Sequence, residues 1–357
     1  MNKNLVLLIL SSISLLTLII SCSITGIDWC LTVLIDIIRP FMRFETMKMK
    51  RWLKVLMFLV KVAVSLVILI LIFRRIDGRG VFATMLSTPI GILAVLIGLG
   101  GVKHGLHYLN WRYVLEFNPG YQVKGNEALI SYLIGAALRF LIPGGHATYG
   151  KMFYLSNVSI RGSVMSVTFE KMFQTWTIWM MAGSAALTGL DLLPWWSVAV
   201  FCLLCAVFPL AMYYGLGISG KTALIKPAYA RRVPLIISWQ TLSLGIVFIQ
   251  YWLLLNRFYP VSYLETGKVF SLVHFAHTIP ISISGLGLRE SFAIWLLRDS
   301  AFTATLVVSV TLTVFVVNEI LPALIGAVLL MVHRTKRCRN INLTKSVRFG
   351  DRDPNGI

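Results

Sequence analysis

The chain has 357 residues, 57% of them hydrophobic and 13% charged, with a mean hydropathy of +0.79. Soluble domains carry charge at roughly a quarter of their positions, so these totals exclude a soluble enzyme or binding module and indicate an all-α integral membrane protein, a multi-pass helical bundle. Lys and Arg number 33 against 14 Asp and Glu, a formal +19. No basic, aromatic-interleaved soluble face exists to hold nucleic acid. The excess therefore reads as a positive-inside signal and as attraction to anionic inner-leaflet lipids.

In chain order, residues 1–46 form an apolar extension: Lys3 followed by Leu5–Ile20 has the form of a signal-type segment. The run ending at Cys22 resembles a lipoprotein cleavage box, whereas Met47-Lys48-Met49-Lys50-Arg51 reads as a natural membrane-protein start. The extension is expected to be non-essential. Residues 47–332 then form the transmembrane body and residues 333–357 a basic tail. A bilayer core needs about 20 apolar residues as helix, and such windows occur at Trp52–Phe73, Pro89–Leu109, Ser163–Leu190, Pro194–Leu216, Pro234–Asn256 and Thr305–Val332. Two further stretches, Glu127–Leu155 and Gly267–Leu297, are apolar but broken in the middle by Pro and Gly. No window alternates with period two, as strands would require.

Lys and Arg set the orientation. Arg43, Lys48, Lys50 and Arg51 precede the Trp52 helix and Lys54 lies in its first turn; Lys221, Lys226, Arg231 and Arg232 follow Leu216; and seven Lys and Arg residues from Arg334 to Arg352 fill the tail. All three segments are expected on the cytoplasmic side, the C-terminus included, in a plasma membrane. Arg74, Arg75 and Arg79 fall outside, against the rule. With this orientation the crossings balance only if Glu127–Leu155 begins and ends inside and Gly267–Leu297 begins and ends outside. Each would be a re-entrant helix hairpin, the two oppositely oriented, which is the pattern of an inverted repeat.

The hairpins carry the candidate site. In the second, Pro280 stops a half-helix, Ser282, Ser284, Gly285 and Gly287 suit an irregular turn, and a new half-helix opens near Leu288 with Arg289 and Glu290. An ionisable residue at such depth costs about 2.5–3.5 kcal/mol on insertion scales, which marks Arg289 and Glu290 as functional candidates. The first hairpin offers Arg139, Pro143, Gly144, Gly145 and Lys151. Both sets suit an anionic headgroup whose phosphate is held by Arg. Glu170, Lys171, His274, His277 and Glu319 are expected to give polar support or relay protons.

Other motifs carry less. Gly215 to Thr222 matches the P-loop pattern letter for letter, but membrane helices flank it and no parallel sheet fits the gap. Cys202 and Cys205 form a CxxC in an apolar run without a second ligand pair, so they read as packing residues. Gly101 and Gly105 suggest close helix approach. His104 and His107, one turn apart with Lys103 beside them, read first as interfacial anchors and second as a polar cavity or metal face. No metal and no cofactor is expected.

Three segments together resemble the transmembrane family typified by the flippase region of lysylphosphatidylglycerol synthase: Arg139 with Pro143, Gly144, Gly145 and Lys151; Ser166 to Lys171; and above all Pro280 to Glu290. The resemblance spans about Met47 to Val332, with Lys151 and Lys171 standing where Arg would be expected. It implies lipid translocation, or handling of lipid-linked intermediates, without aminoacyl transfer, which resides in a separate soluble domain of the full-length synthases. The expected partners are membrane lipids, with a homo-oligomer or a partner glycosyltransferase as additional candidates. The alternative is a membrane enzyme or accessory subunit acting on polyprenyl-linked sugars or terpenoid lipids, with His274, His277 and Glu290 as acid–base groups.

Overall fold

The computed structural model describes residues 78–118, 121–141, 145–156, 160–188, 194–216, 223–278 and 287–333. The 1–46 extension, the Trp52 helix, the P-loop-like turn from Gly217 to Thr222, the basic tail, and Pro143, Gly144, Pro280, Ser282, Ser284 and Gly285 of the candidate site lie outside them. Every regular element among the described residues is helical.

A short α1 (Gly78–Leu86) leads into α2 (Ile90–Leu115), which starts on Pro89, a residue without an N–H to leave unpaired. Next come α3 (Gly125–Leu141) and a 3₁₀ segment, Gly145–Tyr154, that lies back along α3. A Cβ on Gly135 would stand 2.9 Å from the Lys151 side chain, and one on Gly150 would stand 2.6 Å from Leu138. The chain continues as α4 (Ile160–Leu187), α5 (Trp195–Gly215), α6 (Lys226–Asn256) and α7 (Tyr263–His277). Ser262 caps α7, accepting the Glu265 amide while the Glu265 carboxylate accepts the Ser262 amide. After a break come α8 (Leu288–Leu296) and α9 (Ala304–His333), the latter widened to a π-turn at Val316–Ile320.

Among the described residues four helices, α2, α5, α6 and α9, are long and apolar enough to cross a membrane. The expected Ser163 span is the 28-residue α4, which has the length but carries Glu170, Lys171 and Gln174 on its inward face and is not among those four. Val95, Val102, Leu203, Val207, Leu210, Leu324 and Val328 are exposed, as lipid-facing side chains are.

Among the described residues the three larger apolar clusters organise the interior. One joins Leu96, Val247, Tyr251, Phe270, Ala293, Val310 and Val314; a second joins Val114, Phe117, Phe173, Tyr229 and Ile236; a third joins Trp111, Leu115, Tyr121 and Val167. Lipid is as apolar as these side chains, so close fit and polar ties, more than transfer from water, hold the helices together. A Cβ on Gly326 of α9 would sit 1.9 Å from the Leu133 carbonyl oxygen of α3, so the two backbones nearly touch. Among the described residues the packing expected of Gly101 and Gly105 is not made: neither has a neighbour within 4 Å, because α2 turns Lys103 and His107 inward and leaves these glycines on the opposite face.

At one end of the bundle, Glu116 at the end of α2 meets the start of α6. Arg232 donates to its carboxylate through Nε (2.7 Å) and Nη2 (2.6 Å), and Arg231 through Nη2 (3.0 Å). Burial alone would raise the Glu116 pKa, but the Arg232 and Arg231 hydrogen bonds hold it below its ordinary 4.5. A depressed carboxylate stabilises the fold fully above its unfolded pKa and loses that contribution as pH falls through the folded one. Glu116→Gln should therefore lower the apparent Tm at pH 7, by up to about 1 kcal/mol of stability for a pair this exposed. Melting curves of the two proteins should converge as pH drops below 4.5; a gap that persists at pH 3 would disprove the ion pair's role.

Candidate functional site

Between the Leu96–Val314 cluster and the two clusters built on Trp111, Val114 and Phe173 lies a polar cavity of about 110 Å³. Lys103, the middle of α2, and Gln240 and Ser243, near the middle of α6, face it. Both broken stretches contribute to it: Tyr132, Gly135 and Arg139 from α3, Thr148 and Lys151 from the 3₁₀ segment, His274 from α7 and Arg289 from α8.

Ion pairs knit the walls together. Arg139 Nη2 donates to Glu319 Oε2, and Lys103 Nζ lies 3.8 Å from the other oxygen of the same carboxylate. Lys151, only 1% exposed, donates to Glu170 and places its ammonium 3.4 Å above the Trp111 ring. The Trp111 indole N–H is in turn fixed by Ser131 Oγ at 2.8 Å. Lys171 donates to the Gln174 amide oxygen at 3.0 Å. The deleted Cβ at Gly135 leaves room for the Lys151 stem, which explains a glycine in the middle of α3.

Arg289 lies in the first turn of α8, its Nε and Nη2 donating to Glu290 Oε1 at 3.1 and 2.5 Å and its guanidinium 4.8 Å from the Phe315 ring centre. Glu290, fully buried, accepts the Gly287 amide through its other oxygen at 2.7 Å. Gly287 has φ 84°, a left-handed conformation that any Cβ would penalise, so this glycine is required by the turn that launches α8. Glu290 thus orients Arg289 and caps α8, while Arg289 faces the cavity.

The π-turn in α9 aims Asn318 and Glu319 inward. Pro322, four residues on, has no N–H, which leaves the Asn318 carbonyl to accept His104 Nε2–H at 3.0 Å. A carbonyl only accepts, so the other ring nitrogen, Nδ1, takes the Tyr132 hydroxyl at 2.7 Å in the neutral ring. Asn318 Nδ2 donates to Gln250 (2.6 Å), and Gln250 Nε2 donates to the Leu96 carbonyl (2.9 Å), tying α9, α6 and α2 together.

Of the residues singled out in the sequence, Arg139, Lys151, Glu170, Lys171, His274, Arg289 and Glu319 all line this cavity. Gly287 and Glu290 support it from behind Arg289. The side chains of Gly145 and His277 fall outside the described set. Lys103, His104 and His107 correct the sequence reading: they are not interfacial anchors, because α2 runs on to Leu115 and places them at mid-helix, facing the cavity. Tyr132, Thr148, Gln174, Gln240 and Ser243 were missed outright; uncharged polar residues inside apolar helices give no distinctive signal. Among the described residues no group of three or more His, Cys, Asp and Glu is placed to hold a metal ion.

The arrangement is a cation-rich pocket at mid-helix depth, walled in part by two interrupted helical stretches. No curated protein matches the chain. A family model does, that of the lysylphosphatidylglycerol synthase TM region, and its match from residue 58 to residue 326 takes in every wall of the cavity, so the chain belongs to that family of membrane domains.

Proposed function

We propose that the protein is a lipid translocase of a plasma membrane, passing the headgroup of a phospholipid or lipid-linked intermediate through the cavity while its acyl or prenyl chains stay in the bilayer. The observation that carries this reading is the meeting of both broken stretches, with Arg139 and Arg289, at one cationic cavity halfway along the spanning helices. Arg139 and Arg289 are the phosphate contacts, and Glu290 holds Arg289 in place.

The two stretches act as oppositely oriented re-entrant hairpins. In support of the first, Glu127 at the start of α3 accepts the Ser156 amide (3.0 Å) and hydroxyl (2.8 Å) just past the 3₁₀ segment, so the two ends of that stretch lie side by side. In support of the second, Tyr259 before α7 meets Phe302 after α8 edge to face at 5.6 Å. Glu116 with Arg231 marks the cytoplasmic end of α2 and α6, and Arg257 donating to the Ser87 carbonyl (3.0 Å) marks the opposite end. Residues 47–332 form the transporting body, and the basic tail lies in the cytoplasm.

The test is lipid movement in proteoliposomes carrying fluorescent phospholipids and a polyprenyl-phosphate analogue, with label accessibility scored by chemical quenching. Hydrogen bonds to a charged group are worth about 1.5–3 kcal/mol, so Arg289→Ala should slow transport roughly 10- to 100-fold. Arg289→Lys keeps the charge beside Glu290 but loses the guanidinium's two-nitrogen grip, and should fall between. Normal transport by a well-folded Arg289→Ala protein would sink the assignment of Arg289. No movement by the native protein under any ion gradient would sink translocation itself.

A further inference from the structure

We infer that the cavity is built for a doubly charged phosphate, a phosphomonoester or diphosphate at the end of a lipid, and disfavours a singly charged phosphodiester. The inference rests on the reading above that a lipid headgroup enters this cavity, and it narrows the substrate class.

Charge bookkeeping carries it. Lys103, Arg139, Lys151, Lys171 and Arg289 line the cavity, five cations, against Glu170 and Glu319 on the walls and Glu290 directly behind Arg289, three carboxylates. The pairing is specific. Glu290 serves Arg289, Glu170 serves Lys151, and the single Glu319 carboxylate is shared by Arg139 and Lys103. Lys171 has the neutral Gln174 amide as its hydrogen-bond partner. Two positive charges are therefore left without a carboxylate of their own among the described residues. The adjoining stretches 142–144 and 279–286 contain no Asp or Glu that would cancel them.

Buried charge without a partner is costly, so an excess of two favours a ligand that brings two negative charges. A phosphomonoester has its second pKa near 6 and carries about two charges above neutral pH; a phosphodiester carries one, and a headgroup with an added ammonium would be repelled by Lys103 and Lys171. A second observation points to a ligand. Thr148 Oγ1, on a residue 5% exposed that lines the cavity, has no hydrogen-bond partner among the described residues. A hydroxyl in that position can donate to a phosphate oxygen.

The purified full-length protein in detergent would be titrated calorimetrically at pH 7 with dihexanoyl phosphatidic acid, dihexanoyl phosphatidylglycerol and inorganic phosphate. The acid should bind about tenfold or more tighter than the glycerol diester, reflecting the added charge-assisted hydrogen bonds. Lys171→Gln should bring the two lipids close to equal affinity. Gln174→Glu, which cancels one charge without deleting a cation, should do the same and replaces the first variant if that one fails to fold. Equal binding of the two lipids by the native protein, or binding of neither, overturns the inference. Inorganic phosphate binding as tightly as phosphatidic acid overturns the lipid source and assigns the site to the free anion. Transport of both lipids in proteoliposomes separates the two readings. If both cross equally fast, translocation stands and the charge preference falls. If neither crosses while phosphatidic acid alone binds tightly, the dianion site stands and translocation falls.

Discussion

Glu319→Gln should destabilise the protein severely, because it leaves two cations on one wall without their carboxylate. Arg139 Nη2 donates to Glu319 and Lys103 stands 3.8 Å away, with side-chain exposures of 29% and 11%. Removing one partner of a buried pair costs about 3–5 kcal/mol, and the partial exposure of Arg139 favours the lower end of that range. The measurement is the fraction surviving as a monodisperse peak after heating in detergent, alongside the apparent Tm. The double variant Glu319→Gln/Arg139→Gln removes the stranded guanidinium and should recover much of the loss, since replacing both members of a buried pair is far milder than breaking it. Transport should remain low in the double variant, because a phosphate contact is gone. A Glu319→Gln protein as stable as the native one would show that the carboxylate does not neutralise this wall.

Gly326→Ala is expected to be the most damaging single-methyl addition on the lipid-spanning helices. The new Cβ would fall 1.9 Å from the Leu133 carbonyl oxygen and 3.0 Å from the Ala137 Cβ. Backbone cannot swing aside as a side chain does, so α9 would have to move off α3. Overpacking of a close-fitted interior costs about 1–3 kcal/mol, occasionally more. The helix pair also sets the Arg139–Glu319 distance, so transport should fall even in protein that still folds. Gly101→Ala on the outward face of α2 meets nothing within 4 Å among the described residues and serves as the control, with no change expected in either measurement. Equal melting of the Gly326→Ala and Gly101→Ala proteins would contradict the close approach of α3 and α9.

The π-turn at Val316–Ile320 links these two sites. Pro322, four residues after Asn318, has no N–H to offer an α-helical bond, so the Asn318 carbonyl is left to His104, while the Asn318 side chain ties to Gln250. One local irregularity thus positions Glu319 for Arg139 and Lys103 and fastens α9 to α2 and α6.

Much of this was legible in the residues. Apolar windows of about 20 residues without period-two alternation can satisfy their backbone in lipid only as helices, which is why the class and most span positions follow from composition. Arg139, Lys151 and Arg289 were legible for the same reason: a charge beside Pro and Gly breaks in an apolar stretch has a cost that must be met by a partner or a use. The tertiary structure alone decided which partners met. Lys103, His104 and His107 read as interfacial while the helix was taken to end at Leu109, and its continuation to Leu115 moves them to mid-helix. Which face of α2 turned inward was equally hidden, for its glycines suit a packing face as well as an outer one. Glu319 finding Arg139 from 180 residues away, the π-turn that aims it, and the sharing of one carboxylate by two cations depend on how helices rotate and approach. Helical periodicity says what lies on a face; only packing between helices says what that face meets.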